Sequence, residues 1–155
     1  MLSLVLVAVA LVAVTVAVHA VGIAVMLRAM RRWVPLPPTR LWPITRLLIS
    51  ITWCLILLHL VEISMWGLFY LWWGCLPDTE AAFYFAGVTY TSIGYGDLVL
   101  AKPWRLFAPI EGLTGILMCG LSASFIFAVV LRIHQEYEST ASIRRQGGHN
   151  DEHQA

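Results

Sequence analysis

The stretch Thr91–Asp97 is the first place where residue types and spacing suggest chemistry. It reads Thr-Ser-Ile-Gly-Tyr-Gly-Asp, so glycine alternates with residues that carry a side chain. Glycine reaches positive φ without a Cβ penalty, which lets successive backbone carbonyl groups point to one side. A stack of such oxygens can replace the water shell of a dehydrated cation. The pattern therefore indicates a cation site made of backbone carbonyls, although glycine and aspartate are also ordinary turn residues.

Three ionisable residues lie inside apolar segments, where a charge is costly and a functional role is the default interpretation. His59 and Glu62 share one helix face because they are three residues apart. A rise of about 1.5 Å per residue from the cytoplasmic helix ends places Glu62 at a depth of about 27 Å and Glu111 at about 30 Å. We therefore predict a buried cluster of these three residues, either a pH sensor acting through the histidine or a purely structural hydrogen-bonded network. His19 is interpreted as interfacial.

The composition is typical of a membrane protein. The chain has 155 residues, of which 59% are hydrophobic and 12% charged, whereas an average soluble domain has roughly 25% charged residues. The net charge of +1 gives no reason to expect a nucleic-acid partner or an acidic substrate. The three cysteines have no CxxC spacing, which argues against a zinc site or a self-contained disulfide framework. Cys75 could cross-link neighbouring subunits on an oxidising side of the membrane.

Three apolar segments are long enough to cross a bilayer. Residues 1–27 exceed the ~20 residues that a span requires and are assigned to an N-terminal transmembrane helix. A signal peptide is the alternative, because Val18-His19-Ala20 loosely resembles a cleavage site, but no positive charge precedes the run and the run is too long. Residues 44–73 form an outer helix of about 45 Å. Residues 104–132 form an inner helix that begins after Pro103.

The sequence predicts a short helix over residues 79–91, between the second and third spans. Pro77, Asp78 and Glu80 supply a turn, a capping residue and negative charge in the first turn. About 18 Å of helix is too little to cross a bilayer. The segment must therefore enter the membrane and stop, which is tolerated only where it is buried in protein or lines a water-filled space.

In this order, the elements over residues 44–131 resemble the pore domain of potassium channels. The filter of that family reads Thr or Ser, an aliphatic residue, Gly, Tyr, Gly and usually Asp, and residues 91–97 match it. The resemblance implies ion coordination by the carbonyl oxygens of Ser92, Ile93, Gly94 and Tyr95, and by the Ser92 hydroxyl. It implies filter support from Thr91, Gly96, Asp97, Tyr84 and Phe85, the last two as aromatic partners of Tyr95.

One chain supplies one filter strand, and a single strand cannot surround an ion. A ring of identical subunits is therefore needed, and the resemblance implies four. The expected fold is an all-α membrane protein with three transmembrane helices, a re-entrant pore helix and a filter loop, in a homotetramer surrounded by lipid. Permeant potassium is the only ion implied, with no enzymatic activity, cofactor or small-molecule substrate.

The chain departs from the family pattern at three positions. Val88 stands where some relatives carry a glutamate paired with the filter aspartate, so that carboxyl pair is absent. Ser92 replaces a common threonine but keeps the hydroxyl, and Leu100 replaces a frequent proline. Because this carboxyl pair is absent, the sequence does not predict how stable the filter is.

The inner helix carries three glycines that are candidates for a gating hinge. Gly115 is the preferred hinge because a glycine midway along a helix weakens it locally, and Gly112 and Gly120 compete with it. Close helix packing is the alternative role.

The basic residues predict the orientation. The stretch from Arg28 to Arg46, which includes the proline-rich loop 28–43, holds five basic residues, and the end of the chain from Arg132 onward holds three. The opposite side holds two, Lys102 and Arg105. The positive-inside rule then places the N-terminus outside the cell membrane and residues 134–155, expected to be a disordered tail after the 44–133 pore domain, in the cytoplasm.

The leading functional hypothesis is passive, potassium-selective conduction. A non-conducting membrane interaction protein that retains the pore scaffold is the alternative, although a scaffold has no need of two correctly spaced glycines. A transporter subunit is a third interpretation, but such proteins carry several pore repeats in one chain and this chain has one.

Overall fold

The computed structural model describes residues 2–33 and 41–152. Within these ranges the chain forms four α-helices, with one 3-10 turn at Trp104–Leu106 and no strand. The helices are α1 (Leu2–Trp33), α2 (Leu41–Trp72), α3 (Thr79–Tyr90) and α4 (Phe107–Glu152). The predicted all-α fold class is confirmed.

Three stretches of these helices are long and apolar enough to cross a membrane, namely Leu2–Met30, Leu41–Trp72 and Trp104–Ser139. α3 has only 12 residues, or about 18 Å of helix, and cannot span a bilayer. The protein is therefore a membrane protein with three candidate spans and one short helix between the second and third, as the apolar segments predict.

The helices around the basic loop are longer than predicted. α1 continues past residue 27 to Trp33, and α2 begins at Leu41. Pro43 is compatible with this early start because the first turn of a helix has no intrahelical acceptors for its N–H groups. The helices thus include residues 28–33 and 41–43, which the sequence assigns to a loop, and the rest of that loop lies outside the described residues.

The structure also differs from the prediction of a disordered tail at residues 134–155. α4 continues to Glu152, and residues 153–155 lie outside the described residues. Polarity suggested a tail, yet residues 134–146 contain no proline or glycine that would end a helix. An exposed pair one turn apart, Arg132 Nε and Glu136 Oε1 at 3.2 Å, adds local support of about 0.3–0.5 kcal/mol.

An aromatic core fixes the short helix between its neighbours. Phe69 of α2 stacks on Phe107 of α4 with ring centroids 5.1 Å apart, and Tyr70 meets Phe85 of α3 edge to face at 5.2 Å. Residues of α1 pack against the same core. α3 is therefore held from two sides, and its end is set at a fixed position for the segment that follows.

Candidate functional site

α3 begins as its sequence predicts. Asp78 lies in extended conformation at the N-cap, and its carboxylate accepts a hydrogen bond from the Ala81 N–H at 2.8 Å. Glu80 places a negative charge in the first turn, where it complements the positive end of the helix dipole. The helix ends at Tyr90, where the Thr91 N–H donates to the Gly87 carbonyl at 3.1 Å.

The segment after α3 has positive φ at every second residue. The values are 60° at Ser92, 51° at Gly94 and 79° at Gly96. The glycines adopt this region at no steric cost, but a serine loses about 1–2 kcal/mol there. Two hydrogen bonds to the end of α3 hold the turn, from the Ser92 N–H to the Thr89 carbonyl at 2.9 Å and from the Gly94 N–H to the Val88 carbonyl at 3.0 Å. Sequence analysis anticipates positive φ at the glycines and misses it at Ser92.

Tyr84 and Phe85, which the resemblance implies as aromatic partners of Tyr95, make different contacts from each other within one chain. The Tyr84 hydroxyl donates to Asp97 Oδ2 at 2.8 Å, and this hydrogen bond to a carboxylate raises the pKa of the Tyr84 phenol. Phe85 packs on Tyr70 on the other side of α3. Tyr95 itself is 70% exposed. Within a single chain, Tyr84 therefore joins α3 to the segment after it through Asp97.

A closed ring of polar side chains, the histidine cluster, lies behind the end of α3. Its members come from all four helices and are His19, His59, Glu62, Tyr90 and Ser122. His19 Nδ1 lies 2.9 Å from Glu62 Oε1, and His59 Nδ1 lies 3.1 Å from the Tyr90 hydroxyl, which donates to Glu62 Oε2. Ser122 Oγ closes the ring at 3.0 Å from His59 Nε2 and 3.3 Å from His19 Nε2.

His19 is fully buried, so its interpretation as interfacial is wrong. The sequence predicts a position near the cytoplasmic end of α1, whereas the contact with Glu62 sets His19 at the depth of that residue. The predicted pairing of His59 with Glu62 is present, with Nδ1 3.3 Å from Oε2. The sequence feature that could have grouped His19 with these two residues is its position as a polar residue in an otherwise apolar span.

The ring needs one more proton than its neutral members supply. Five hydrogen bonds require five protons, whereas two neutral imidazoles, one phenol and one hydroxyl carry four. A fifth proton shared among the five side chains completes the ring and offsets the charge of the Glu62 carboxylate.

Glu111 does not join this cluster. It is fully buried on α4, and its Oε2 accepts a hydrogen bond from the Tyr70 hydroxyl at 2.7 Å. Its Oε1 has no hydrogen-bond partner among the described residues. The prediction failed because the depths differ. Ser122 is the α4 residue that reaches His59, and Glu111 lies about three turns of helix, or about 16 Å, from Ser122.

The three glycines of the inner helix have different surroundings. A Cβ atom added to Gly115 would lie 1.9 Å from the Tyr90 carbonyl oxygen, and one added to Gly112 would lie 3.4 Å from the Thr89 carbonyl oxygen. A Cβ on Gly120 would meet nothing within 4 Å. Gly115 therefore serves close packing of α4 against the end of α3, the alternative to a hinge. The hinge remains an untested prediction.

The cysteines are all free in the described structure. Cys54 and Cys119 are exposed, and Cys75 is half-buried after the end of α2. Burial raises the pKa of the Cys75 thiol to about 11, so the thiol is almost wholly protonated at neutral pH and reacts slowly. Cross-linking through Cys75 stays a prediction.

Comparison with known proteins gives one finding. A family described as an ion channel matches residues 56–132. The comparisons with curated proteins and with solved structures found no match. The matched segment contains most of α2, all of α3, the segment with alternating positive φ and the membrane-spanning part of α4. This segment of the chain, residues 56–132, is therefore similar to the ion channel family.

Proposed function

We propose that this protein is one subunit of a potassium-selective channel that conducts ions passively. The observation that carries the proposal is the alternation of positive φ at Ser92, Gly94 and Gly96 directly after the short helix. Such alternation allows neighbouring carbonyl groups to point to the same side, so the carbonyl oxygens of the filter can form a column of ion sites. The coordinating carbonyl oxygens belong to Ser92, Ile93, Gly94 and Tyr95, and the Ser92 hydroxyl lies at the inner end of the column.

The short helix supports a cation at this place. Its carboxyl end is at Tyr90, immediately before the filter, and a helix carries a partial negative charge of about half an elementary unit at this end. The central cavity below the filter would lie in front of these carbonyls. A cation that has lost part of its water would be favoured there.

A homotetramer explains the exposure of the filter in a single chain. Ile93 is 55% exposed and Tyr95 70% exposed. On α4, large apolar side chains are also more than half exposed, among them Leu113, Ile116 and Leu117. Four copies around one axis would cover part of these surfaces and complete the ring of oxygens. The arginine distribution supports an orientation with the N-terminus outside and the C-terminus in the cytoplasm.

Flux from liposomes tests the proposal. Purified protein in sealed vesicles should release potassium much faster than sodium, with no added partner and no energy source. Absence of flux would favour the non-conducting interaction protein, and a requirement for an energy source would favour a transporter. Equal flux of the two ions, or a monomer as the only species in lipid, would contradict the proposal.

The hydrogen bond between Tyr84 and Asp97 should prolong conduction. Tyr84→Phe removes only the hydroxyl that donates to Asp97, so the outer filter loses a brace while the coordinating carbonyls stay. We expect severalfold shorter bursts in single-channel recordings, with the preference for potassium kept at the start of each burst. Tyr137→Phe is the control, because Tyr137 is exposed near the end of α4. Unchanged bursts in Tyr84→Phe would show that the bond does not support the filter.

A further inference from the structure

Three ligand atoms of the histidine cluster converge at one point. One ring nitrogen of His19, one of His59 and a carboxylate oxygen of Glu62 all lie within 4.8 Å of one another. From these atoms we infer that the cluster is a buried binding site for a divalent zinc-type metal ion. The inference concerns metal binding only and does not depend on the proposed conduction.

The distances suit tetrahedral coordination. Bonds of about 2.0–2.1 Å to nitrogen and oxygen place neighbouring ligands about 3.3 Å apart around zinc. The corresponding separations are 2.9 Å between His19 Nδ1 and Glu62 Oε1, and 3.3 Å between His59 Nδ1 and Glu62 Oε2. These two distances run to different oxygens of the Glu62 carboxylate, so the side chains would move apart to admit the ion.

The outer nitrogens of both imidazoles are held by one hydroxyl. Ser122 Oγ lies 3.0 Å from His59 Nε2 and 3.3 Å from His19 Nε2. Metal-binding histidines almost always hydrogen-bond through the nitrogen that does not touch the metal, which fixes the ring and its tautomer. Here both rings turn Nδ1 toward Glu62 and Nε2 toward Ser122. This arrangement already has the orientation that a metal site requires.

Tyr90 can complete the coordination and balance the charge. Its hydroxyl donates to Glu62 Oε2 and lies 3.1 Å from His59 Nδ1. Bound as a phenolate, with its proton released to water, it would be a fourth ligand, and two negative ligands would neutralise the two positive charges of the ion. A neutral site is required because Glu62 and His19 are fully buried within membrane spans.

The two imidazole ligands determine which metal ions suit the site. Imidazole suits zinc, copper and nickel, whereas magnesium and calcium prefer oxygen ligands alone. Among these, zinc needs no redox partner and accepts a mixed set of nitrogen and oxygen ligands. The ion would join His19 of α1 to Tyr90, the last residue of α3 before the filter. The site thereby gives α1 a role, which is to fasten the short helix from behind.

Equilibrium dialysis with zinc tests the inference. The control variant carries His134→Gln, His149→Gln and His153→Gln, so only the two cluster histidines remain of the five in the chain. In a buffer with excess magnesium, we expect one zinc ion per chain in the wild type and the control. His19→Gln in the control background should lose the bound zinc. Zinc should also raise the thermal unfolding midpoint of the control but not that of His19→Gln.

Ser122→Ala provides a second test in case His19→Gln does not fold. It keeps all ligand atoms and removes the hydroxyl that orients them, so zinc affinity should fall roughly ten- to a hundredfold. Absence of zinc from the control variant, or equal affinity in the control and in Ser122→Ala, would overturn the inference. In the first case the cluster holds a proton in place of a metal.

Discussion

Replacement of Gly94 by alanine is expected to abolish selective potassium flux. Gly94 has φ +51°, and an added Cβ would meet nothing within 4 Å, so the effect arises from backbone strain and not from a clash. An L-residue loses about 1–2 kcal/mol in this region. Rotation of the peptide relieves the strain and turns a carbonyl out of the column of oxygens. Potassium flux from liposomes should fall to the background level, or lose its preference over sodium.

Gly74→Ala is the matched control for this experiment. Gly74 has φ +61° and equally open surroundings, but it lies in the turn after α2, outside the filter. The same strain should lower the free energy of unfolding by a similar amount while flux and selectivity persist. Selective flux in Gly94→Ala, or equal loss of selectivity in both variants, would refute the role assigned to the Gly94 carbonyl.

The order of the helices could be predicted because each depends on local sequence. Apolar length determines which segments can span a bilayer, and the capping residues at Asp78 and Glu80 determine where α3 begins. Helix ends in polar regions were predicted less well. α4 runs on through the polar residues 134–146, because this stretch has no proline or glycine and can continue a helix that is already nucleated.

The candidate site was only partly predictable, because local sequence gives neither the relative depth of two helices nor the rotation of each about its axis. His59 and Glu62 share a face by their spacing alone, so their pairing needed no tertiary information. His19 of α1 lies beside Glu62, where Glu111 was expected. Glu111 of α4 instead accepts a hydrogen bond from Tyr70 of α2. Which side of α1 faces α2 depends on packing across 43 residues of sequence separation, and no local pattern encodes it.

The short helix is held at three points that a single substitution could disturb. Asp78 caps its beginning, the histidine cluster binds the Tyr90 side chain, and Gly115 contacts the Tyr90 backbone. The last two act on the residue directly before Thr91 and the filter. Of these contacts, the one at Gly115 is the least able to adjust, because both partners are helix backbone.

Gly115→Ala should therefore damage both folding and selectivity. Its Cβ would lie 1.9 Å from the Tyr90 carbonyl oxygen and 2.8 Å from the carbonyl carbon, so α3 or α4 must move. Overpacking of this kind costs about 1–3 kcal/mol, and the movement displaces the start of the filter. We expect a lower thermal unfolding midpoint and a loss of the potassium-to-sodium flux ratio. A hinge predicts instead a changed open probability with selectivity intact.

Gly120→Ala separates close packing from a general effect of alanine in α4. Its Cβ would meet nothing within 4 Å, and alanine favours a helix over glycine by about 1 kcal/mol. This variant should be as stable as the wild type or more stable, with normal flux and selectivity. If Gly115→Ala unfolded at the wild-type temperature and kept its selectivity, the contact with Tyr90 would not position the filter, and the hinge interpretation would regain support from any change in gating.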